Sequence, residues 1–240
     1  MKIIQHPLKF WDERPHQEIT AIVLHCSAYE PEEMIKVLQS EKLSTHYIIG
    51  TDGQIWQLIP EEKRAWHAGV SKWRGKENLN HRSIGIELSS PTMGQSEYPK
   101  KQMQSLLNLC QNICRRHPQI MPQNIVAHSD VAPTRKPDPG TSLPWAWLAA
   151  NGIGLWYDIT DTEKMQNTDI VKLLEIIGYD IDNLAAASYA FCRHFAPCII
   201  SYEADIRKLI DNVYPPEFIL PPEIIPILRA TAWRYQNATK

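Results

Sequence analysis

The chain has 240 residues, 43% hydrophobic and 22% charged, and its 25 Lys and Arg against 27 Asp and Glu give a formal net charge of -2. These are globular values that permit a packed core, and the length suits one large domain or a medium domain with a small companion. The charge balance gives no footing for nucleic acid or an anionic membrane surface, and no apolar run is long enough to span a bilayer.

The first residues, Met1-Lys2-Ile3-Ile4-Gln5-His6-Pro7, carry no apolar leader stretch and no lipid-attachment cysteine. A cytoplasmic location is therefore expected, with a periplasmic or secreted one if a leader has been removed. Apolar, β-rich stretches predict strands over 19–25, 46–50, 55–59, 83–89 and 124–127. The second and third flank Thr51-Asp52-Gly53-Gln54, and Asp-Gly between such stretches predicts a hairpin. A helix is expected over 31–42, with Pro31 near its start and Met34, Val37 and Leu38 on one face. A longer one over 98–117 carries Met103, Leu106, Leu107, Cys110, Ile113 and Cys114 on one stripe and stops at Pro118. Cys110 and Cys114 read there as core, and the five cysteines form no disulfide framework.

Strands interleaved with helices predict an α/β (α+β) domain, a mixed central sheet flanked by helices. Composition changes after Gly140, where a Trp-, Gly- and Asp-rich stretch lacks periodicity. Helical periodicity returns at Ile170, Leu173, Leu174 and Ile177, closed by Gly178, and continues around 184–194, 203–213 and 222–233. The expected division is a catalytic domain over 1–150, a linker over 151–164 and a small all-α C-terminal domain over 165–240.

Three segments carry candidate metal ligands. His25 stands at the end of the strand Val23-Leu24-His25, and His128 at the end of Val126-Ala127-His128. Ten residues beyond His128 comes Asp138, in the rigid loop Arg135-Lys136-Pro137-Asp138-Pro139-Gly140. Two imidazoles and a carboxylate are a catalytic zinc set that leaves a fourth position open for water. A bound zinc would lower the pKa of that water towards ~7. In Ser83-Ile84-Gly85-Ile86-Glu87-Leu88-Ser89 the alternation puts Gly85 and Glu87 on the face opposite Ile84, Ile86 and Leu88. A carboxylate on so apolar a strand is either a structural ion-pair partner or, beside a zinc site, a proton acceptor. Lys136, two residues before Asp138, is placed to polarise a scissile carbonyl. Any single histidine among the nine is weak ground for a site.

Taken together, the motifs resemble the type-2 amidases, the family that includes peptidoglycan recognition proteins. They are His25-Cys26-Ser27, Ser44-Thr45-His46-Tyr47-Ile48-Ile49, Asp52-Gly53-Gln54-Ile55-Trp56-Gln57-Leu58, Ala65-Trp66-His67-Ala68-Gly69-Val70-Ser71, Asn80-His81-Arg82-Ser83-Ile84-Gly85-Ile86-Glu87, Ala127-His128-Ser129-Asp130-Val131-Ala132-Pro133 and Arg135-Lys136-Pro137-Asp138-Pro139-Gly140, in order from about residue 18 to 150.

The resemblance implies an N-acetylmuramoyl-L-alanine amidase that cuts the bond between the lactyl group of N-acetylmuramic acid and the L-alanine of the stem peptide. It implies one Zn²⁺ per chain on His25, His128 and Asp138, with Glu87 as general base and Lys136 as transition-state stabiliser. Trp66, His67, Ala68 and Gly69 form a loop that could cover the groove, with Trp66 otherwise a core residue. Arg135 either pairs with a stem-peptide carboxylate or is a solvated loop charge. His46 reads as structural. In the tail, Leu173-Leu174-Glu175-Ile176-Ile177-Gly178-Tyr179-Asp180 and Ala190-Phe191-Cys192-Arg193-His194-Phe195-Ala196-Pro197 resemble a helical peptidoglycan-binding domain, with Cys192 where Gln is common. The expected partners are peptidoglycan or muropeptide fragments, met by a monomer. The rival reading is a non-catalytic recognition module, whose members have usually lost a zinc ligand.

Overall fold

A computed structural model describes residues 2–15, 18–200 and 213–238. Among these residues ten strands form: β1 (Ile3–Gln5), β2 (Trp11–Glu13), β3 (Ala21–Ser27), β4 (Tyr47–Ile49), β5 (Ile55–Gln57), β6 (Lys63–Ala65), β7 (Lys72–Trp73), β8 (Lys76–Glu77), β9 (Ser83–Ser89) and β10 (Ile125–Ala127). The described α-helices are α1 (Pro31–Ser40), α2 (Lys100–Arg116), α3 (His128–Val131), α4 (Trp145–Ala150), α5 (Ile170–Ile177), α6 (Leu184–Phe195) and α7 (Ile225–Gln236). The helix expected over 203–213 lies, save its last residue, outside the described residues.

One six-stranded sheet runs β1-β5-β4-β9-β3-β10. It is mixed: β4 and β5 are antiparallel across the Asp52-Gly53 turn, and β9, β3 and β10 run parallel. Gly53 supplies the positive φ of 84° that the turn needs. Two small antiparallel pairs, β2 with β6 and the hairpin β7 with β8, lie outside this sheet.

Alternation along the central strands sorts the core into two layers. Ile22, Leu24, Ile84, Ile86 and Leu88 pack under α2, against Met103, Leu106, Cys110 and Ile113. Ala21, Val23 and Val126 point the other way, into a cluster with Leu173, Leu174, Phe191, Phe195 and Tyr235 of the tail. The tail helices thus share one continuous core with the sheet. Their ends follow local chemistry. Asp169 and Asn183 accept from the backbone N–H groups of Lys172 and Ala186 at the starts of α5 and α6. Arg74 Nη1 donates to Ile176 O and Ile177 O at the end of α5. Gly178 stops that helix at φ 131°, where a Cβ would stand 2.4 Å from Arg74 Cγ.

On the far side of the sheet, Glu61 ties β4 to the end of α2. It accepts from Tyr47 Oη at 2.7 Å and Arg116 Nη2 at 2.6 Å, and meets His117 Nε2 at 2.7 Å. Burial alone would raise the Glu61 carboxyl, but the bonds from Arg116, Tyr47 and His117 outweigh it and bring it from 4.5 down to about 2. A depressed folded-state pKa stabilises the protein above the unfolded value, and that stability is lost as pH falls through the folded value. Unfolding measured against pH should therefore show a loss on the order of 2 kcal/mol between about pH 4.5 and 2, since Arg116 is half-exposed and partly screened. Glu61→Gln should lack that step, and an identical acid profile in parent and variant would remove Glu61 as its source.

Candidate metal centre

The parallel register sets the site's layout. His25 on β3 lies opposite Glu87 on β9. β10 runs beside β3, and His128 begins α3 directly after β10. Asp138 arrives from the loop that follows. That loop is pinned by Ser129 N donating to Asp138 O at 2.9 Å and Tyr98 Oη donating to Pro139 O at 2.7 Å. Gly94 leaves room for it, because a Cβ there would stand 1.8 Å from Pro139 O.

His25, His128 and Asp138 converge, all buried, with one ligand atom of each within 4.8 Å of the others. His25 Nδ1 and His128 Nδ1 are 2.8 Å apart, and Asp138 Oδ2 lies 3.2 and 3.0 Å from them. The outer nitrogens decide where the protons are. His128 Nε2 faces Ala68 O at 3.0 Å, and a carbonyl only accepts, so Nε2 carries the hydrogen. On the other side, Ser83 Oγ donates to Leu79 O at 2.6 Å and can then only accept from His67 Nε2 at 3.2 Å. His67 Nδ1 is left as the acceptor for His25 Nε2 at 2.9 Å. Both ligand histidines, neutral, therefore turn a lone pair towards the Asp138 carboxylate.

The electrostatics agree. Burial, then the nearby His128, holds the His25 imidazole down to about 4. Burial followed by His25 keeps His67 well below the usual histidine value. Three inward acceptors with one formal negative charge and no proton between them fit a divalent cation that takes nitrogen and oxygen ligands.

Glu87 Oε2 is buried with no hydrogen-bond partner. Burial, then the charge of Asp138, pushes the Glu87 carboxyl up to about 8, with Lys136 pulling the other way. The Lys136 ammonium is thus felt at Glu87 and also at His25.

The loop residues are placed as follows. His67 sits behind His25, its ring over Gly85, where a Cβ would meet His67 Cγ at 2.5 Å. Ala68 is buried and turns its carbonyl to His128 and to Arg135 Nη2, while Asn80 Oδ1 accepts from the backbone N–H groups of His67 and Ala68. Arg135 Nη2 also donates to Val70 O at 2.6 Å and lies against Gly69. Trp66 donates its indole N–H to Asp12 and lies near Phe10. His46 Nδ1 accepts from Gly85 N at 3.0 Å. Sequence reasoning does not single out Ser83, Asn80, Asp130, Tyr179 or His194. Only Ser83 carries a usable sign, its shared strand face with Gly85 and Glu87.

Comparison with known proteins gives a consistent result. Residues 15–141 match the family described as N-acetylmuramoyl-L-alanine amidase. The Escherichia coli N-acetylmuramoyl-L-alanine amidase AmiD is 34% identical over 220 residues, covering 79% of each chain. The Enterobacter cloacae 1,6-anhydro-N-acetylmuramyl-L-alanine amidase AmpD is 43% identical over 104 residues, 43% of this chain and 54% of that protein. The solved complex of E. coli AmiD with anhydro-N-acetylmuramic acid-L-Ala-D-gamma-Glu-L-Lys superposes with a TM-score of 0.74 at 31% identity, over 91% of this chain and 90% of that one.

Removing the His67 ring should free the His25 tautomer without touching any ligand. His67→Ala is expected to weaken divalent-cation affinity about 10–100-fold in chelator competition. An unchanged affinity in a folded His67→Ala protein would dismiss the relay as a determinant of the site.

Proposed function

The chain belongs to the N-acetylmuramoyl-L-alanine amidase family, and from that premise we propose how its own residues carry the reaction. The enzyme hydrolyses the amide between the lactyl group of N-acetylmuramic acid and the L-alanine of the stem peptide, and binds peptidoglycan fragments. His25, His128 and Asp138 hold one Zn²⁺ per chain. When bound, that ion supplies a Lewis acid towards the scissile carbonyl and towards water.

Glu87 is the general base, and the charge of a cation on the neighbouring ligands would keep its carboxylate ionised against burial and Asp138. It takes a proton from the attacking water on its unpartnered Oε2 and hands it to the departing L-alanine amine. The observation that carries this reading is that oxygen, buried and unbonded on the residue opposite ligand His25. Lys136 steadies the negative charge that grows on the carbonyl oxygen. The stem peptide runs along the loop of Trp66, His67, Ala68 and Gly69, with Arg135 at its side. Beyond the loop, Gly69, Val70 and Arg135 line a cleft of about 640 Å³ that reaches Asp180 and Asn183. The tail over 165–240 is a peptidoglycan-binding-like domain after the catalytic domain over 1–150, and the working form is a monomer.

A defined MurNAc-tripeptide should be cut to free tripeptide, with chelator abolishing release and zinc restoring it. Glu87→Gln should keep zinc and lose about 10²–10⁴ in turnover. His128→Ala should lose both. Retained turnover in Glu87→Gln would refute the base assignment. Tight binding without release under every metal condition would make the protein a recognition module instead.

A further inference from the structure

Asp130 follows His128 by two residues and is not among the three ligands. It is nevertheless fully buried, and three groups converge on its carboxylate. Oδ2 accepts from Ala127 N at 2.8 Å, closing the turn that presents His128. The other donors come from the tail. Tyr179 Oη donates to Oδ1 at 2.7 Å, and His194 Nδ1 meets Oδ2 at 2.7 Å. A carboxylate only accepts, so His194 donates. Its ring stacks on those of Trp145 and Phe195, with both centroids 4.0 Å away. Its Nε2 is buried without a partner, so the Nδ1 bond is the polar contact that defines its place.

The same four-residue turn serves the site twice. Its first residue is ligand His128, and its second, Ser129, donates its backbone N–H to Asp138 O. A shift of α3 therefore moves two of the three ligands. Hydrogen bonds within the turn come from the catalytic part of the chain, whereas both side-chain donors on Asp130 come from beyond residue 165. We propose that Tyr179 and His194 are positioning residues for the metal centre, gripping Asp130 so that α3 presents His128 and Asp138 at binding distance. The tail is on this view part of the centre's support, whatever else it binds. The inference rests on the zinc reading of the site.

The test uses the full chain, with zinc affinity by chelator competition as the primary readout and kcat and KM on a MurNAc-tripeptide as the second. Tyr179→Phe keeps the ring packed on Trp73 and removes only the hydroxyl. His194→Phe keeps the aromatic stack and removes the donor, whereas His194→Asn keeps an amide donor near the Nδ1 position and gives up the stack. The double variant Tyr179→Phe/His194→Phe should bind zinc at least tenfold more weakly, with kcat lowered and recovered by excess zinc and KM nearly unchanged. His194→Asn should retain more affinity than His194→Phe. Affinity within twofold of the parent in a folded double variant would overturn the proposal. So would the reverse order of the two His194 variants, because packing would then be the determinant. A parent chain that binds zinc yet leaves the muropeptide intact would sink the amidase mechanism while leaving this comparison of affinities readable.

Discussion

Two backbone carbonyls, Ala68 O and Leu79 O, decide the chemistry of the site. Each can only accept, and each begins a chain of hydrogen bonds that ends with a lone pair on an inward-facing histidine nitrogen. One chain is a single bond to His128. The other passes through Ser83 and His67 to His25. Had either ended on a donor, one ligand nitrogen would carry a hydrogen and donate it to Asp138, and its lone pair would be lost to a cation. The surroundings sustain the neutral rings, since burial dominates the depression of both His25 and His67.

Strand β9 shows how much of this rests on period-two alternation. One face, Ile84, Ile86 and Leu88, is ordinary core under α2. The other carries three different parts in successive positions. Ser83 anchors the relay, Gly85 leaves the space that the His67 ring fills, and Glu87 brings a carboxylate opposite His25. A register slip of one residue would exchange this face with the core and lose all three together. Stability and chemistry here share one requirement, the parallel pairing of β3 with β9.

The main strands, the two long helices and the convergent group His25, His128 and Asp138 were legible in the sequence because each rests on local periodicity, on residues at strand ends or on a rigid polar loop. Strand 83–89 matches its expected bounds, while the first expected strand, 19–25, runs instead from Ala21 to Ser27. Its extra residues pair with Leu88 and Ser89, a cross-strand effect that a local reading cannot hold. The loop from Trp66 to Gly69 reads in sequence as a groove cover. Its residues also meet groups distant along the chain: His67 with Gly85, Ala68 with His128 and Arg135, Trp66 with Asp12. Such contacts depend on close approach of backbones, and a lone glycine in a strand is the faint sign they leave.

The tail poses the sharper problem of scale. Its helical stripes were readable, but a stripe says only that one face is buried and never against what. Here the face meets Ala21, Val23 and Val126, so the tail closes the second side of the sheet at β3 and β10, while α1 covers Ile48 of β4. Parallel strands such as β3 and β10 call for cover on both faces, because their runs are apolar in both directions. Alternation of polar with apolar residues is absent from Ala21-Ile22-Val23-Leu24, which is apolar throughout and thereby demands two layers. Helix α2 supplies one of them, and among the described residues the cluster on the other face is built largely from the tail. A buried carboxylate at that seam would be costly unless paired from both sides, and Asp130 is so paired, by its own turn and by Tyr179 and His194. The layer that completes the core is thus joined, by hydrogen bonds as well as by packing, to the turn that holds the ligands.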